Sequence, residues 1–130
     1  MMTPDELAIL LDEANHDPWE SAQTAVALID GQPHPRVGWL TTHLRATKYE
    51  YWTLIAAATG SAAPPDDAGL TRLMTWEVQA ARSLGTDALD VTVEHAGRTF
   101  TVAGLLRMNA RHTAWHAGQI AALAPTERRA

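Results

Sequence analysis

The amino-acid sequence predicts an all-α domain in which helices pack on helices, and three observations carry that expectation. The apolar residues are mainly Ala, Leu and Val with five Trp, a mixture that favours helix and concentrates aromatic mass in a few large side chains. Apolar positions recur at steps of three and four along several stretches, as the buried face of a helix requires. Capping residues, prolines and glycines punctuate those stretches where helices start and stop. With 130 residues, 46% of them hydrophobic, residues 1–130 are expected to form a single domain around one sizeable core.

The elements follow in order. Thr3-Pro4-Asp5-Glu6 supplies a capping hydroxyl, a proline at the first helical position and a carboxylate three residues after the cap; together they satisfy or complement orphan backbone N–H groups. Leu7, Leu10, Leu11 and Ala14 then form one apolar face, and Asn15-His16 ends or kinks the helix. Asp17-Pro18-Trp19-Glu20 repeats the start signal, and Ala22, Val26 and Ile29 give an apolar face up to a stop at Asp30-Gly31. Gln32-Pro33-His34-Pro35 reads as a turn, because each proline pushes the preceding residue toward extended geometry. From about Arg36 to Ala58 a long helix keeps Trp39, Leu40, His43, Leu44, Thr47, Tyr51, Leu54 and Ile55 on one side.

Thr59 to Gly69, rich in Gly, Ala, Pro and Asp, reads as an exposed loop. Leu73, Trp76, Ala80 and Leu84 mark a further helix from about Leu70 to Leu84, with Gly85 as its stop. Glu77 falls beside that stripe and is expected at the helix edge, its carboxylate reaching solvent, rather than in a polar cleft. Residues 89–93 and 98–102 alternate with a period of two around Ala96-Gly97; a short β-hairpin and a plain extended connection both fit. The last helix begins between Thr101 and Gly104 and runs to about Leu123, ahead of Pro125 and a charged tail.

Ten Lys and Arg against fifteen Asp and Glu leave a net charge of −5, so no broad basic surface is offered to a phosphate backbone and nucleic acid is not an expected partner. The first eleven residues are acidic rather than Lys- or Arg-led, and no apolar run approaches the ~20 residues that cross a bilayer. A membrane partner is therefore not expected, and a cytoplasmic location is. The chain has no cysteine, which removes disulfides, thiolate ligands and a cysteine nucleophile together. Its six histidines become the main candidates for metal ligation.

His112 and His116 stand four residues apart in the last helix, so their rings leave one face a turn apart, close enough to share an ion. Thr113, Ala114 and Trp115 lie between them, and the glutamate of the H-E-x-x-H metalloprotease motif is absent. The pair sits in His112-Thr-Ala-Trp-His116-Ala-Gly-Gln119-Ile, and His43 sits in Trp39-Leu-Thr-Thr-His43-Leu on the earlier long helix. These segments resemble the DinB/YfiT-like superfamily, whose last helix carries H-x-x-x-H-x-G-Q-I and whose second bundle helix carries a third histidine in a W-x-x-x-H-L/I-like stretch. The resemblance spans the chain from the turn before Trp39 to Ile120, with the C-terminal run as its specific motif.

The resemblance implies a four-helix bundle, homodimerisation, and one divalent metal ion (zinc, nickel, iron or manganese) on His43, His112 and His116, with Gly118 and Gln119 as structural signature residues. It also implies chemistry on a small-molecule substrate or a low-molecular-weight thiol, since some members use such thiols for S-transfer or isomerisation. Three imidazoles leave coordination positions open, as catalytic sites do. A metal-dependent enzyme acting on a bound thiol or water, a non-catalytic metal- or ligand-binding stress-related module, and a metal-dependent hydrolase are the three functional expectations.

Other residues are read beside their plainer alternatives. Glu50, two turns after His43, is a weak candidate for a catalytic base; a surface ion pair with Lys48 or Arg45 is the expected role. Asn109 either reaches the pocket or packs between helices. His16 is expected as a solvated turn histidine rather than a site residue, and His34 and His95 sit in turns. Trp39, Trp52, Trp76 and Trp115 are expected in the core rather than in a ligand cage.

Overall fold

A computed structural model describes residues 1–29 and 34–124. The first helix, α1 (Pro4–His16), opens on the expected capping box: the Thr3 hydroxyl accepts from the Glu6 N–H at 3.1 Å, and the Glu6 carboxylate accepts from the Thr3 N–H at 2.9 Å. The second start signal is displaced. Asp17 folds back to accept from the Trp19 N–H, and Glu20 takes a left-handed φ of 59°, so no helix can begin there. α2 (Ala22–Ile29) starts instead behind Ser21, whose hydroxyl accepts from the Thr24 N–H while the Thr24 hydroxyl accepts from the Ser21 N–H. The stop expected at Asp30-Gly31, the turn residues Gln32 and Pro33, and Pro125 with its tail lie outside the described residues.

The long helix α3 (Pro35–Thr59) opens with proline at its first position and closes on Gly60, whose φ of 76° supplies the left-handed cap. His34 is more than a turn residue, since its Nδ1 accepts the Arg36 N–H at 3.0 Å and caps the helix. α4 (Leu70–Arg82) ends two residues earlier than expected. Ser83 bonds back to the Gln79 carbonyl, and Gly85, with an ordinary negative φ, opens a 3-10 turn over Thr86–Asp90. The hairpin option is realised by β1 (Thr92–His95) and β2 (Arg98–Thr101), antiparallel with Val93 opposite Phe100. Ala96 and Gly97, both at positive φ, close it as a two-residue turn. Thr101 then caps α5 (Val102–Ala122) through the Gly104 N–H.

The result is a mostly helical structure with one small hairpin. α1 packs on α2, α4 and α5, α3 packs on α4 and α5, and α2 packs on α5. Leu7, Leu11, Trp52, Ile55, Leu105 and Leu106 are fully buried in one part of the core; Leu40, Leu44 and Ile120 close another around α2 and the start of α3. Each such side chain contributes about 1.5–3 kcal/mol by leaving water. No helix among the described residues is long and apolar enough to cross a membrane.

Three expectations about burial are corrected. The core face of α3 is Leu40, Leu44, Lys48, Tyr51, Trp52 and Ile55, rotated from the expected stripe so that Trp39 and His43 stand on its edge. Trp39 and Trp115 are 52% and 72% exposed, while Trp52 is in the core with the half-buried Trp76 edge-on against it. Glu77 is not at a helix edge but fully buried. One of its oxygens accepts from Asn15 Nδ2 (2.6 Å) and from the Lys48 ammonium, and the other from Trp52 Nε1 (2.9 Å) and Asn109 Nδ2 (2.7 Å). Four helices meet on one carboxylate. The stripe reading failed because a residue's neighbours on other helices, which supply all four donors, leave no trace in its own helix's periodicity.

Candidate metal centre

α3 and α5 pack side by side, and that contact brings together three rings separated by up to 73 residues in sequence (His43 to His116). His112 Nε2 lies 3.1 Å from His43 Nε2 and 3.0 Å from His116 Nε2. One nitrogen from each ring falls within 4.8 Å of the others, and all three side chains are partly exposed. Nitrogens bound about 2.05 Å from one ion stand roughly 2.9 Å apart at octahedral angles and roughly 3.3 Å apart at tetrahedral ones, so the two distances from His112 suit a shared cation of either geometry.

Two of the rings have polar neighbours on their far sides. The His116 Nδ1–H donates to the Gln119 side-chain oxygen at 2.6 Å, which leaves Nε2 with its lone pair pointing inward. His112 Nδ1 lies 3.5 Å from the Thr47 hydroxyl, which itself donates to the Leu44 carbonyl and so presents a lone pair to the ring. Trp39 stacks on His43 with centroids 4.9 Å apart and planes 9° from parallel. Tyr51 stands edge-on to His112 at 6.4 Å.

Burial and neighbouring charge favour the neutral form of His112 and His43. Burial, followed by the neighbouring His116, His43 and the Lys48 ammonium, pulls the His112 pKa down to about 4. Burial and then His116 lower that of His43. Neutral imidazoles are the ligating form, and lone pairs aimed at one point repel unless a cation or a proton lies between them. The chemistry of the donor set and its spacing both fit a divalent ion.

The other candidates lie elsewhere. Glu50 is exposed and pairs with His95 Nδ1 at 3.3 Å rather than with Lys48 or Arg45; Lys48 is buried against Glu77, and Arg45 donates to the Ala68 and Asp66 carbonyls. Asn109 packs between helices, accepting from Lys48 Nζ and donating to Glu77. His16 ends α1 with Nδ1 on Asp12, and its Nε2 is shielded from solvent rather than solvated as expected. Gly118 has open space where a Cβ would stand, so packing within the chain does not demand a glycine there. A cavity of about 710 Å³ lies between the 18–28 segment and the Ala114, Ala117 and Gly118 side of α5, away from the histidine face.

Thr47 and the orienting role of Gln119 were not anticipated. Thr47 had a signal, one turn beyond His43 on the same side, and Gln119 stands three residues after His116, within reach on a helix. No family model, curated protein or solved structure matches the chain.

Proposed function

We propose that this protein binds one divalent metal ion through His43, His112 and His116 and is a DinB-like metal-dependent enzyme acting on a bound thiol or water, in the manner of an S-transferase. The observation that carries the reading is the convergence of three Nε2 atoms, two of them 3.0 and 3.1 Å from the third. A divalent ion there would supply Lewis acidity to a thiol or water. Gln119 and Thr47 hold the rings of His116 and His112 in the ligating orientation, Trp39 covers one face of His43, and the partial exposure of all three rings leaves room for a small molecule. On this reading the four longer helices α1, α3, α4 and α5 correspond to the family's four-helix bundle, and the protein works as a homodimer in the cytoplasm.

A second reading, a non-catalytic metal-binding module, is favoured by one observation. Among the described residues no carboxylate touches the triad: Glu50 pairs with His95 and Glu77 is enclosed in the core. This arrangement also weakens the hydrolase alternative, which would look to Glu50 as base. Thermal melting tests the common premise. Zinc at a hundredfold excess over its Kd should add about 2.7 kcal/mol of stability, reversed by chelator and missing from His116→Ala. Identical melting of both proteins with and without zinc, nickel, iron and manganese would remove the metal from the account.

A further inference from the structure

Arg36, Trp39 and His43 follow one another at steps of three and four along one side of α3. The Arg36 guanidinium carbon lies 4.6 Å from the centre of the Trp39 ring, and that ring lies 4.9 Å from His43. The guanidinium is therefore less than 10 Å from the His43 ring, and both groups rest against one half-exposed indole. Arg45 offers an instructive contrast. It covers Tyr49 in the same way, at 4.7 Å, yet spends its N–H groups on the Ala68 and Asp66 carbonyls and so ties down the 60–69 loop. The Arg36 side chain makes no ion pair or hydrogen bond among the described residues, and its guanidinium rests over the Trp39 ring.

We infer that Arg36 and Trp39 form the recognition half of this site and take a ligand with a carboxylate at one end and a metal-binding donor at the other. The inference rests on the three-histidine reading above and adds a substrate class to it. A guanidinium has five donors and no acceptor, and its fork matches a carboxylate. Its position over the indole occupies the surface that a cationic ligand would need. The remaining exposed indole covers an apolar spacer between the two ends, and the spacing of under 10 Å sets a spacer of about five or six methylenes.

The test uses cobalt-loaded full-length protein and two probes of equal length, 6-mercaptohexanoate and 6-mercaptohexanol, with affinities read from the cobalt absorption bands. The acid should bind about tenfold tighter than the alcohol. That ratio should fall to near one in Arg36→Gln and be partly kept in Arg36→Lys, which retains the charge without the fork. Equal affinities in the unmodified protein, or a ratio that survives Arg36→Gln, would overturn the assignment while leaving the metal centre standing. Failure of the protein to take up cobalt would overturn the metal reading and this inference with it. Arg36 is on the surface, so the variants keep the fold, and their own cobalt spectra report an intact centre.

Discussion

His112 is the ring on which the triad's electrostatics converge. Burial first, then its two partners at 3.0 and 3.1 Å and the Lys48 ammonium, bring its folded-state pKa to about 4, below the ordinary 6.5. A folded pKa below the unfolded one means that the unfolded chain takes up the proton first. The contribution to stability is whole above pH 6.5 and drains away as the pH falls toward 4. Metal-free protein should thus lose about 1–2 kcal/mol more than His112→Ala between pH 7 and pH 4, after allowance for solvent screening of a partly exposed ring. Denaturant melts at the two pH values measure it, and equal losses would show that the ring is not held neutral. The i, i+4 pair was legible from spacing alone, because a helix fixes that geometry. Trp39 was not: hydrophobicity pointed to the core, whereas it stands half-exposed and stacks on His43 one turn further along α3.

At the scale of elements, boundaries set by local chemistry could be read directly. The Thr3 capping box acts through neighbours a few residues away and lies where the sequence puts it, and the Ala96-Gly97 turn realises one of the two forms the sequence allowed for that segment. The start of α2 could not be read so simply, since Asp17-Pro18 and Ser21-Thr24 both present capping groups and the left-handed Glu20 decides between them. The assembly of α1, α3, α4 and α5 around Glu77 was hidden for a different reason, because burying a carboxylate depends on donors from three other helices. Its energetics are testable. Burial lowers the Lys48 pKa while Glu77 opposes that shift. Glu77→Leu strands the ammonium in the core and should cost about 3–5 kcal/mol, whereas adding Lys48→Met should recover much of it. Additive losses in a double-mutant cycle would show that the two residues are not coupled.

Over the whole molecule, the fold joins two segments of unequal legibility. A single helix fixes the His112–His116 pair, while His43, 69 residues before His112, gains meaning only when α3 and α5 pack together. The buried hub lies on that same packing: Lys48 is five residues beyond His43, Asn109 is three before His112, and they bond at 3.0 Å. The core that stabilises the chain also sets the spacing of the three histidines. The most direct measurement is elemental mass spectrometry on protein purified without a histidine-rich tag, beside His43→Ala and His116→Ala. About one divalent ion per chain, lost from both variants, is the predicted result for a three-imidazole site. Protein that holds no metal, even after reconstitution with zinc, nickel, iron and manganese, or metal that persists in both variants, would contradict it.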